Sequence, residues 1–478
     1  MHWEKLLNSE RRKPKKVDFY EAEEPKLTEV RTEIERDYDR ILFSTPVRRL
    51  ADKTQVFPLE RNDSVRTRLT HSHEVSNLAR SIGVALAFDD KIIADNGLKP
   101  ERNLPSILAS IGLAHDLGNP PFGHQGEHAI QAWFADNLDV LENSQLTEAM
   151  KQDFMRFEGN AQTLRLLTRL QLINDDYGLN LTYSTLAALM KYPTASDSID
   201  RGNVAKKKHG YFQSEEAIVK DVWEKTGLSA GVRHPLTYIM EACDDIAYAV
   251  LDAEDAVKKG LVSFSDLMSY LKHHGEHDSA VGTVCKLACD KHETHRKEAT
   301  GLSPAELNDI SMQMFRVYAI GEMVRDVKNT YKDQEKNIMA GRLKSDLLTV
   351  SPSSKLCELL KKFDKDHAYV HRSVLEVELT GYNTILGLMG FLWEAIRQRK
   401  KPEVLGSRRS TPFASYAYNR ISENYRRIFE DESNPLPVRY KELQLLTDMI
   451  SGMTDSFALS LYDELKQYYV PRENKKDI

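Results

Sequence analysis

Cysteine is scarce in this sequence, and long apolar stretches are missing. Only four of the 478 residues are cysteine, and none forms a C-x-x-C pair, so neither a disulfide framework nor a cysteine-based zinc site is supported. The longest clean apolar run, residues 385–393, is far shorter than the roughly 20 residues that a membrane-spanning helix needs. The first residues also lack the apolar segment of a signal peptide. We therefore expect a soluble, cytoplasmic protein without membrane association.

Charge of one sign is not in large excess either. The chain has 66 Lys and Arg against 72 Asp and Glu, which leaves a formal net charge of -6. This balance argues against a protein whose overall charge drives nucleic-acid binding, although it leaves room for a local basic groove. No G-x-x-x-x-G-K-[S/T] string occurs, so a P-loop is not supported. What the chain has in quantity is hydrophobic residues, at 41%, which is enough for a substantial core.

Helical periodicity dominates the pattern of apolar residues. They recur at spacings of three and four, whereas alternating β-branched runs are scarce, so the sequence predicts an all-α fold. The segments with the helical pattern are 75–87, 104–115, 161–172, 236–257, 307–324, 373–393 and 443–459. We expect an N-terminal extension over 1–40, a catalytic domain over 41–330 and a C-terminal helical region over 331–478. Parts of residues 193–212 are predicted to form a loop.

A histidine–aspartate pair ends one apolar segment. His115 and Asp116 follow residues 104–114, and burial there would be unfavourable unless both side chains are satisfied. Gly118 and the prolines after it end the helix and turn the chain sharply. Because the backbone is irregular at that point, two adjacent ligands can reach one ion. The pattern therefore favours a metal site over a surface pair.

A second polar pattern lies inside the predicted helix 236–257. Asp244, Tyr248 and Asp252 are four residues apart and so share one helix face. Their neighbours are apolar, which indicates a largely buried helix, and two carboxylates on an interior face need a cation or a ligand. The alternative is a solvated acidic stripe, which the apolar surroundings disfavour.

With His71, these patches offer two imidazoles and two carboxylates to one ion. The four candidate ligands are His71, His115, Asp116 and Asp244. A mixed set of nitrogen and oxygen ligands suits Mn²⁺, Fe²⁺ or Mg²⁺ better than a thiol-loving ion. The two carboxylates balance the charge of a divalent ion. Such an ion can polarise a phosphate and position a water.

Four strings carry a resemblance to a known family. They are RLTHS at 68–72, HDLGNPPFGH at 115–124, FEGNAQ at 157–162 and DDIAY at 244–248. In these strings and their order, residues 40–260 resemble the deoxyguanosine triphosphate triphosphohydrolase family of the HD superfamily, while the C-terminal third matches only loosely. The resemblance implies an HD-type helical core with an additional C-terminal helical region. It also implies metal-dependent hydrolysis of dNTPs, dGTP foremost, to deoxynucleoside and inorganic triphosphate, by attack of a metal-positioned water at the α-phosphorus.

The resemblance also assigns roles at the metal and the sugar. It implies one divalent ion, Mn²⁺ or Mg²⁺, on the four ligands named above. Asp244 is chosen over Asp245 because the family has a tyrosine four residues on and an aspartate eight residues on, here Tyr248 and Asp252. These two, with Gln55, would contact the deoxyribose. Tyr248 would exclude a 2′-hydroxyl, so ribonucleotides should be poor substrates.

Further residues are implied for the triphosphate and for proton transfer. The phosphate contacts would be Arg68, Asn160, Lys191 and Lys208, while Arg66 could be either a contact or structural. His124 and Glu127 are three residues apart and can touch if a helix begins near 123–125. The expected role of His124 is general acid for the leaving 5′-oxygen, with a nucleophilic role as the less economical alternative. His73 and His128 are expected outside the site.

Other functions and partners stay open at this level. The alternatives are another HD-type nucleotide phosphohydrolase or phosphodiesterase, and a nucleic-acid-binding HD protein without turnover. The expected partners are a dNTP substrate and other copies of the chain, because the family forms homo-oligomers, often hexamers or tetramers. Single-stranded DNA is a further candidate partner, with basic stretches at 397–401 and 408–409 as candidate sites.

Overall fold

Helices are the regular structure of the described chain. The computed structural model describes residues 1–14, 30–57, 59, 62–171, 177–298 and 301–470. These ranges contain twenty α-helices and no strand, only three isolated bridges, which confirms the all-α fold. The first ten helices are α1 (Trp3–Leu6), α2 (Glu35–Leu42), α3 (Thr45–Arg49), α4 (Arg68–Val84), α5 (Pro100–Ala114), α6 (Gly123–Asp136), α7 (Glu148–Met155), α8 (Gly159–Arg165), α9 (Tyr183–Leu189) and α10 (Glu216–Thr226).

The second ten helices include the longest ones. They are α11 (Pro235–Lys258), α12 (Phe264–His274), α13 (Ser279–Glu298), α14 (Pro304–Met339), α15 (Ser354–Phe363), α16 (Arg372–Arg397), α17 (Pro412–Asn419), α18 (Glu423–Glu430), α19 (Val438–Ser451) and α20 (Asp455–Tyr468). Short 3₁₀ turns occupy Leu50–Asp52, Leu138–Val140 and Gln213–Glu215. Single π-helical turns occupy Ala85–Asp89, Leu166–Leu170 and Asp364–Ala368.

The predicted helix 443–459 is wrong as one element. It is divided between α19 and α20 by a break at 452–454. The break has a local cause, because the side chain of Thr454 accepts a hydrogen bond from the backbone N–H of Phe457 and so caps a new helix. The predicted segment 161–172 runs through α8 and a π turn to Leu170. Its last residue, and residues 15–29 and 471–478 of the predicted terminal regions, lie outside the described residues.

Close packing of α4 on α5 brings two of the predicted ligands together. A Cβ atom on Gly112 would lie 2.7 Å from the Cα of Ser76, so only glycine allows this approach of the two helices. His71 lies in the first turn of α4 and His115 directly follows α5. Their ring centroids are 5.5 Å apart. The helix pair therefore builds one side of the site before any other element is added.

Helix α11 is buried along nearly its whole length. It packs against α4, α14 and α15, and its buried residues include both apolar side chains and Asp252. His234 caps its N-terminus: the ring accepts a hydrogen bond from the backbone N–H of Leu236, and Pro235 follows at the first helical position. This anchoring fixes the helix that carries Asp244 and Tyr248.

Helices of the C-terminal region complete the core around these elements. Helix α16 packs against α6, and α19 packs against α8. Arg165 of α8 forms a buried ion pair with Asp448 of α19, at 2.7 Å between Nη2 and Oδ2. The division at residue 330 stays a prediction.

None of the helices in the described part of the chain is long and apolar enough to cross a membrane.

Candidate active site

A cavity of about 560 Å³ opens where α4, α6, α8 and α11 converge. Eleven of the thirteen predicted site residues line it: Gln55, Arg68, His115, Asp116, His124, Glu127, Asn160, Lys191, Lys208, Asp244 and Tyr248. The other two lie behind its wall, His71 against Asp244 and Asp252 against Tyr369. Residues that are far apart in the sequence thus meet in one place, as the sequence predicts.

Three of the four predicted ligands form a tight cluster. The ligand atoms of His71, His115 and Asp244 all lie within 4.8 Å of one another. Oδ1 of Asp244 is 3.3 Å from Nε2 of His71 and 3.4 Å from Nε2 of His115. The fourth ligand, Asp116, is adjacent, with Oδ1 3.5 Å from Nε2 of His115. Two nitrogen ligands and one carboxylate therefore surround one small volume, and the carboxylate of Asp116 lies beside it.

The ring of His115 is oriented as a metal ligand would be. Its Nδ1 donates a hydrogen bond to the carbonyl oxygen of Gly112 at 2.7 Å, so Nε2 is the ring atom left to face the carboxylates and would coordinate an ion in place of its own proton. That Nε2 is buried and has no hydrogen-bond partner among the described residues. Burial lowers the pKa of His115, but the carboxylates of Asp116 and Asp244 outweigh burial and raise it to about 9. A divalent cation fits this arrangement, since it would satisfy Nε2 and both carboxylates.

Two neighbours hold the carboxylate of Asp116. Nη1 of Arg68 donates to its Oδ2, and Nδ2 of Asn119 donates to Oδ1 at 2.7 Å. Burial raises the pKa of Asp116, yet the guanidinium of Arg68 lowers it to about 2. The side chain is thus a fixed anion. Arg68, predicted to contact phosphate, lines the cavity while paired with this carboxylate.

The two adjacent aspartates of α11 point to different partners. Asp244 belongs to the histidine cluster, and its Oδ2 is 3.2 Å from Nζ of Lys191. Burial raises the pKa of Asp244, but Lys191 and His115 hold it well below the usual value. Asp245 instead contacts Lys361, at 2.7 Å between Oδ1 and Nζ. The geometry therefore matches the choice of Asp244 as the ligand.

His124 and Glu127 lie in the first turns of α6, at the edge of the cavity. The helix begins at Gly123, as expected, and Nδ1 of His124 is 3.5 Å from Oε2 of Glu127. The imidazole is largely exposed, at 74%, whereas the carboxylate is buried and its Oε1 accepts from the backbone N–H of Gly159 at 2.8 Å. Burial raises the pKa of Glu127, and the hydrogen bond from His124 lowers it below its usual value. A buried, fixed carboxylate therefore contacts a solvent-accessible imidazole.

Glu158 joins the predicted phosphate contacts, although the sequence did not single it out. Its Oε2 lies 2.8 Å from Nζ of Lys208, and Nδ2 of Asn160 donates to its Oε1 at 2.7 Å. The side chain is buried, and burial together with Glu127 raises its pKa. The only signal in the sequence was its place beside Asn160 in the FEGNAQ string.

Tyr369 also meets the predicted sugar-binding face of α11. Its hydroxyl donates a hydrogen bond to Oδ2 of Asp252 at 2.6 Å, and its ring centroid is 6.3 Å from that of Tyr248. Burial raises the pKa of Asp252 well above its usual value. With Lys361 and Glu378, Tyr369 shows that the C-terminal region forms part of the cavity wall. Sequence reasoning missed these three residues because they lie in the loosely matched third of the chain.

Several other basic residues have structural partners. Arg66 forms ion pairs with Glu74, Glu254 and Asp255. These contacts favour a structural role for Arg66 over a phosphate contact. In the predicted DNA-binding stretches, Arg399 pairs with a buried glutamate, and Arg409 is buried and donates to main-chain carbonyls. The exposed residues there are 397, 400, 401 and 408. DNA binding at these stretches would rest on those four residues.

The fold and the site together define an all-α protein with a buried cluster of histidine and aspartate beside a cavity lined by charged side chains of both signs. The chain belongs to the deoxyguanosinetriphosphate triphosphohydrolase family. It is 37% identical to a protein of Listeria innocua named deoxyguanosinetriphosphate triphosphohydrolase-like, over 97% of this chain and 99% of that protein. A Synechocystis protein with the same name is 33% identical over 98% and 99%, respectively. A Yersinia enterocolitica protein named deoxyguanosinetriphosphate triphosphohydrolase is 32% identical over 92% and 94%. No protein-family model matches the chain.

Proposed function

We propose that this protein hydrolyses deoxynucleoside triphosphates, with dGTP preferred, to deoxynucleoside and inorganic triphosphate, and that it requires one divalent ion, Mn²⁺ or Mg²⁺. The observation that carries the proposal is the convergence of buried His71 and His115 on Asp244, with their ligand atoms within 4.8 Å of one another and Asp116 beside them. The names of the relatives, which include deoxyguanosinetriphosphate triphosphohydrolase, agree with it.

The cations of the cavity suit a triphosphate. Arg68, Lys191, Lys208 and Lys361 line one continuous cavity, and each is paired with a carboxylate. Phosphate oxygens are strong acceptors for guanidinium and ammonium groups. The triphosphate would share these cations with the carboxylates, which hold the side chains in place before substrate arrives.

His71, His115, Asp116 and Asp244 would hold the ion, which when bound would polarise a phosphate and lower the pKa of a coordinated water. Other side chains of the cavity would orient the substrate and transfer the proton. Arg68 and Lys191 orient the phosphates beside the cluster. As water attacks the α-phosphorus and the bond to the 5′-oxygen breaks, His124 gives its proton to that oxygen, and the proton that the water loses is released to solvent. Glu127 orients the imidazole, and solvent access lets His124 regain a proton.

The deoxyribose would lie against the face of α11 that carries Tyr248 and Asp252. Asp252 accepts from Tyr369, and its other oxygen can accept from a 3′-hydroxyl. Gln55 lines the cavity with a buried Oε1 that has no hydrogen-bond partner among the described residues. These groups give a polar sugar site next to a tyrosine ring, so discrimination against a 2′-hydroxyl would be steric.

The test is product identification with a matched pair of histidine variants. Purified protein is incubated with each dNTP and Mn²⁺, and the products are separated by ion-exchange chromatography. We expect deoxynucleoside and triphosphate from the wild type and from His73→Asn, whose side chain is exposed, and neither product from His71→Asn. Diphosphate or single phosphate would mean that attack occurs elsewhere on the substrate. Full activity of His71→Asn would contradict the proposed ligand set.

A further inference from the structure

The turn between α19 and α20 contacts the two chain segments, at 53–54 and 119–122, that lie next to the candidate active site. Its contact begins with Lys53, which is buried and donates from Nζ to the carbonyl of Asn119 at 2.6 Å and to that of Ser451 at 2.7 Å. The side chain of Asn119 in turn holds Asp116. One lysine thus links the last residue of α19 to the loop that carries a proposed metal ligand.

Asp455, the first residue of α20, makes a second and stronger link. Its Oδ1 accepts from the backbone N–H of Phe122 at 3.0 Å. Its Oδ2 accepts from the backbone N–H of Thr54 at 3.0 Å and from the hydroxyl of Thr54. The carboxylate is 2% exposed, so these protein donors replace water around it. A single side chain therefore ties two separate chain segments together.

The two segments, at Phe122 and at Thr54, are each followed within two residues by a predicted site residue that lines the cavity. Phe122 adopts a left-handed conformation, with φ of 60°, immediately before α6, and His124 follows two residues later. That conformation is unfavourable for a residue with a side chain, so it persists only where the surroundings hold it. Thr54 directly precedes Gln55, which faces the proposed sugar site. Asp455 itself does not line the cavity.

We infer that Asp455 is a positioning residue, which sets the place of His124 relative to Gln55 by holding Phe122 and Thr54. The inference rests on the proposed function, in which His124 protonates the 5′-oxygen while Gln55 contacts the sugar. The 5′-oxygen and the sugar belong to one nucleoside. The distance between His124 and Gln55 therefore decides whether the proton donor reaches the leaving oxygen. A misplacement of about 1 Å at a proton donor can reduce a rate by as much as about a hundredfold.

The test compares three variants of the full-length protein. Asp455→Ala removes all three contacts. Asp455→Asn is the conservative variant: its amide oxygen can accept from Phe122 and its NH₂ can donate to the hydroxyl of Thr54, but it loses the bond from the backbone N–H of Thr54. Thr454→Ala is the matched control, since it removes the cap of the same helix without touching either segment. Steady-state kinetics with dGTP and Mn²⁺, thermal unfolding, and amide hydrogen exchange are measured for each variant.

We expect kcat of Asp455→Ala to fall at least about tenfold, with a smaller change in KM, and Asp455→Asn to recover part of that loss. Thr454→Ala should keep its kcat even if it unfolds at a lower temperature. Amide exchange in Asp455→Ala should rise at 53–57 and 120–127 rather than throughout the chain. Equal loss of kcat in Asp455→Ala and Thr454→Ala would overturn the inference and leave the proposed function standing. If the wild type hydrolyses no dNTP, the proposed function fails, and unchanged exchange at both segments would independently refute the positioning role.

Discussion

His234 predicts a specific loss of stability in mild acid. The ring is buried at the N-terminus of α11, where Nε2 donates to the carbonyl of Leu6 and Nδ1 accepts from the backbone N–H of Leu236. This pattern requires the neutral imidazole, since a protonated ring would point a second N–H at the N–H of Leu236. Burial accordingly lowers the pKa of His234 from 6.5 to about 4.

The sign and size of the effect follow from linkage. Below pH 6.5, His234 becomes protonated in the unfolded chain, whereas in the folded protein it stays neutral down to about pH 4. Stability is therefore unaffected above pH 6.5 and falls as the pH drops toward 4. At about 1.4 kcal/mol for each pH unit, the loss amounts to about 3 kcal/mol. Helix α11 carries Asp244, Tyr248 and Asp252. Protonation of His234 therefore destabilises the N-terminus of the same helix that forms one wall of the site.

The assay is urea unfolding between pH 7.5 and pH 4 for the wild type and His234→Asn. Asparagine is a good cap that does not titrate, so it keeps the contact with Leu236 but lacks the proton linkage. Carboxylates titrate equally in both proteins and cancel in the difference. We expect the wild type to lose about 3 kcal/mol relative to the variant over this range. Parallel curves at every pH would refute the assignment of a neutral, buried His234.

Three further perturbations probe the site and its support. Gly118→Ala would place a Cβ 2.2 Å from a main-chain nitrogen of α8, so we expect a loss of about 2–3 kcal/mol in thermal unfolding, whereas Gly321→Ala, with open space around it in α14, should gain about 0.5–1 kcal/mol. If both substitutions lowered the stability equally, the close approach of α8 to Gly118 would not be the cause of the loss. Lys361→Gln removes a cation from the cavity wall and should raise KM for dGTP more than it lowers kcat; an unchanged KM would place the triphosphate elsewhere. Mn²⁺ at about 100 times its Kd should stabilise the wild type by about 2.7 kcal/mol and leave Asp244→Asn unchanged, and equal shifts in both proteins would contradict binding at this cluster.

The helices were predictable wherever one face is apolar. Helices α4, α5, α11 and α16 each coincide with a segment of helical period, because burial of one face imposes that period on the sequence. The break between α19 and α20 escaped this reasoning, since the apolar spacing continues across it. Gly452 and the capping Thr454 were the available signals there, and capping residues are informative only when weighed against the periodicity.

The site was predictable where adjacent residues bring chemistry to a helix end. His115 with Asp116, and Asp244 with Tyr248 and Asp252, are local patterns, and the structure places all of them at one cavity except Asp252, which lies behind its wall. The contributions of Lys361, Tyr369 and Glu378 could not be predicted, because Lys361 and Glu378 are single polar residues on helices with many exposed polar residues and Tyr369 lies in the short connection before α16. Only the tertiary packing of α15 and α16 against α6 and α11 distinguishes them from a solvated face.

The buried ion pair between α8 and α19 tests whether the region beyond residue 330 is separable. Arg165 donates to both oxygens of Asp448, at 2.8 and 2.7 Å, and to Glu215 at 3.0 Å, with all three side chains buried. Asp448→Ala leaves Arg165 paired with Glu215 but removes the acceptor of three buried hydrogen bonds, two from Arg165 and one from Gln162, so we expect it to lower the free energy of unfolding by about 3 kcal/mol. Asp463→Ala, an exposed aspartate on α20, is the control and should change it by no more than about 0.5 kcal/mol.

The same pair also determines how the chain unfolds. Because the guanidinium of Arg165 lies on α8, beside the loop that carries Asp116, loss of Asp448 should loosen the catalytic core and the C-terminal helices in one transition. Urea unfolding followed by tryptophan fluorescence and by circular dichroism should therefore give coincident curves for the wild type and for Asp448→Ala. A separate early transition in the variant, with dGTP hydrolysis intact, would instead show that the C-terminal region unfolds as an independent unit and that the boundary near residue 330 is a true domain boundary.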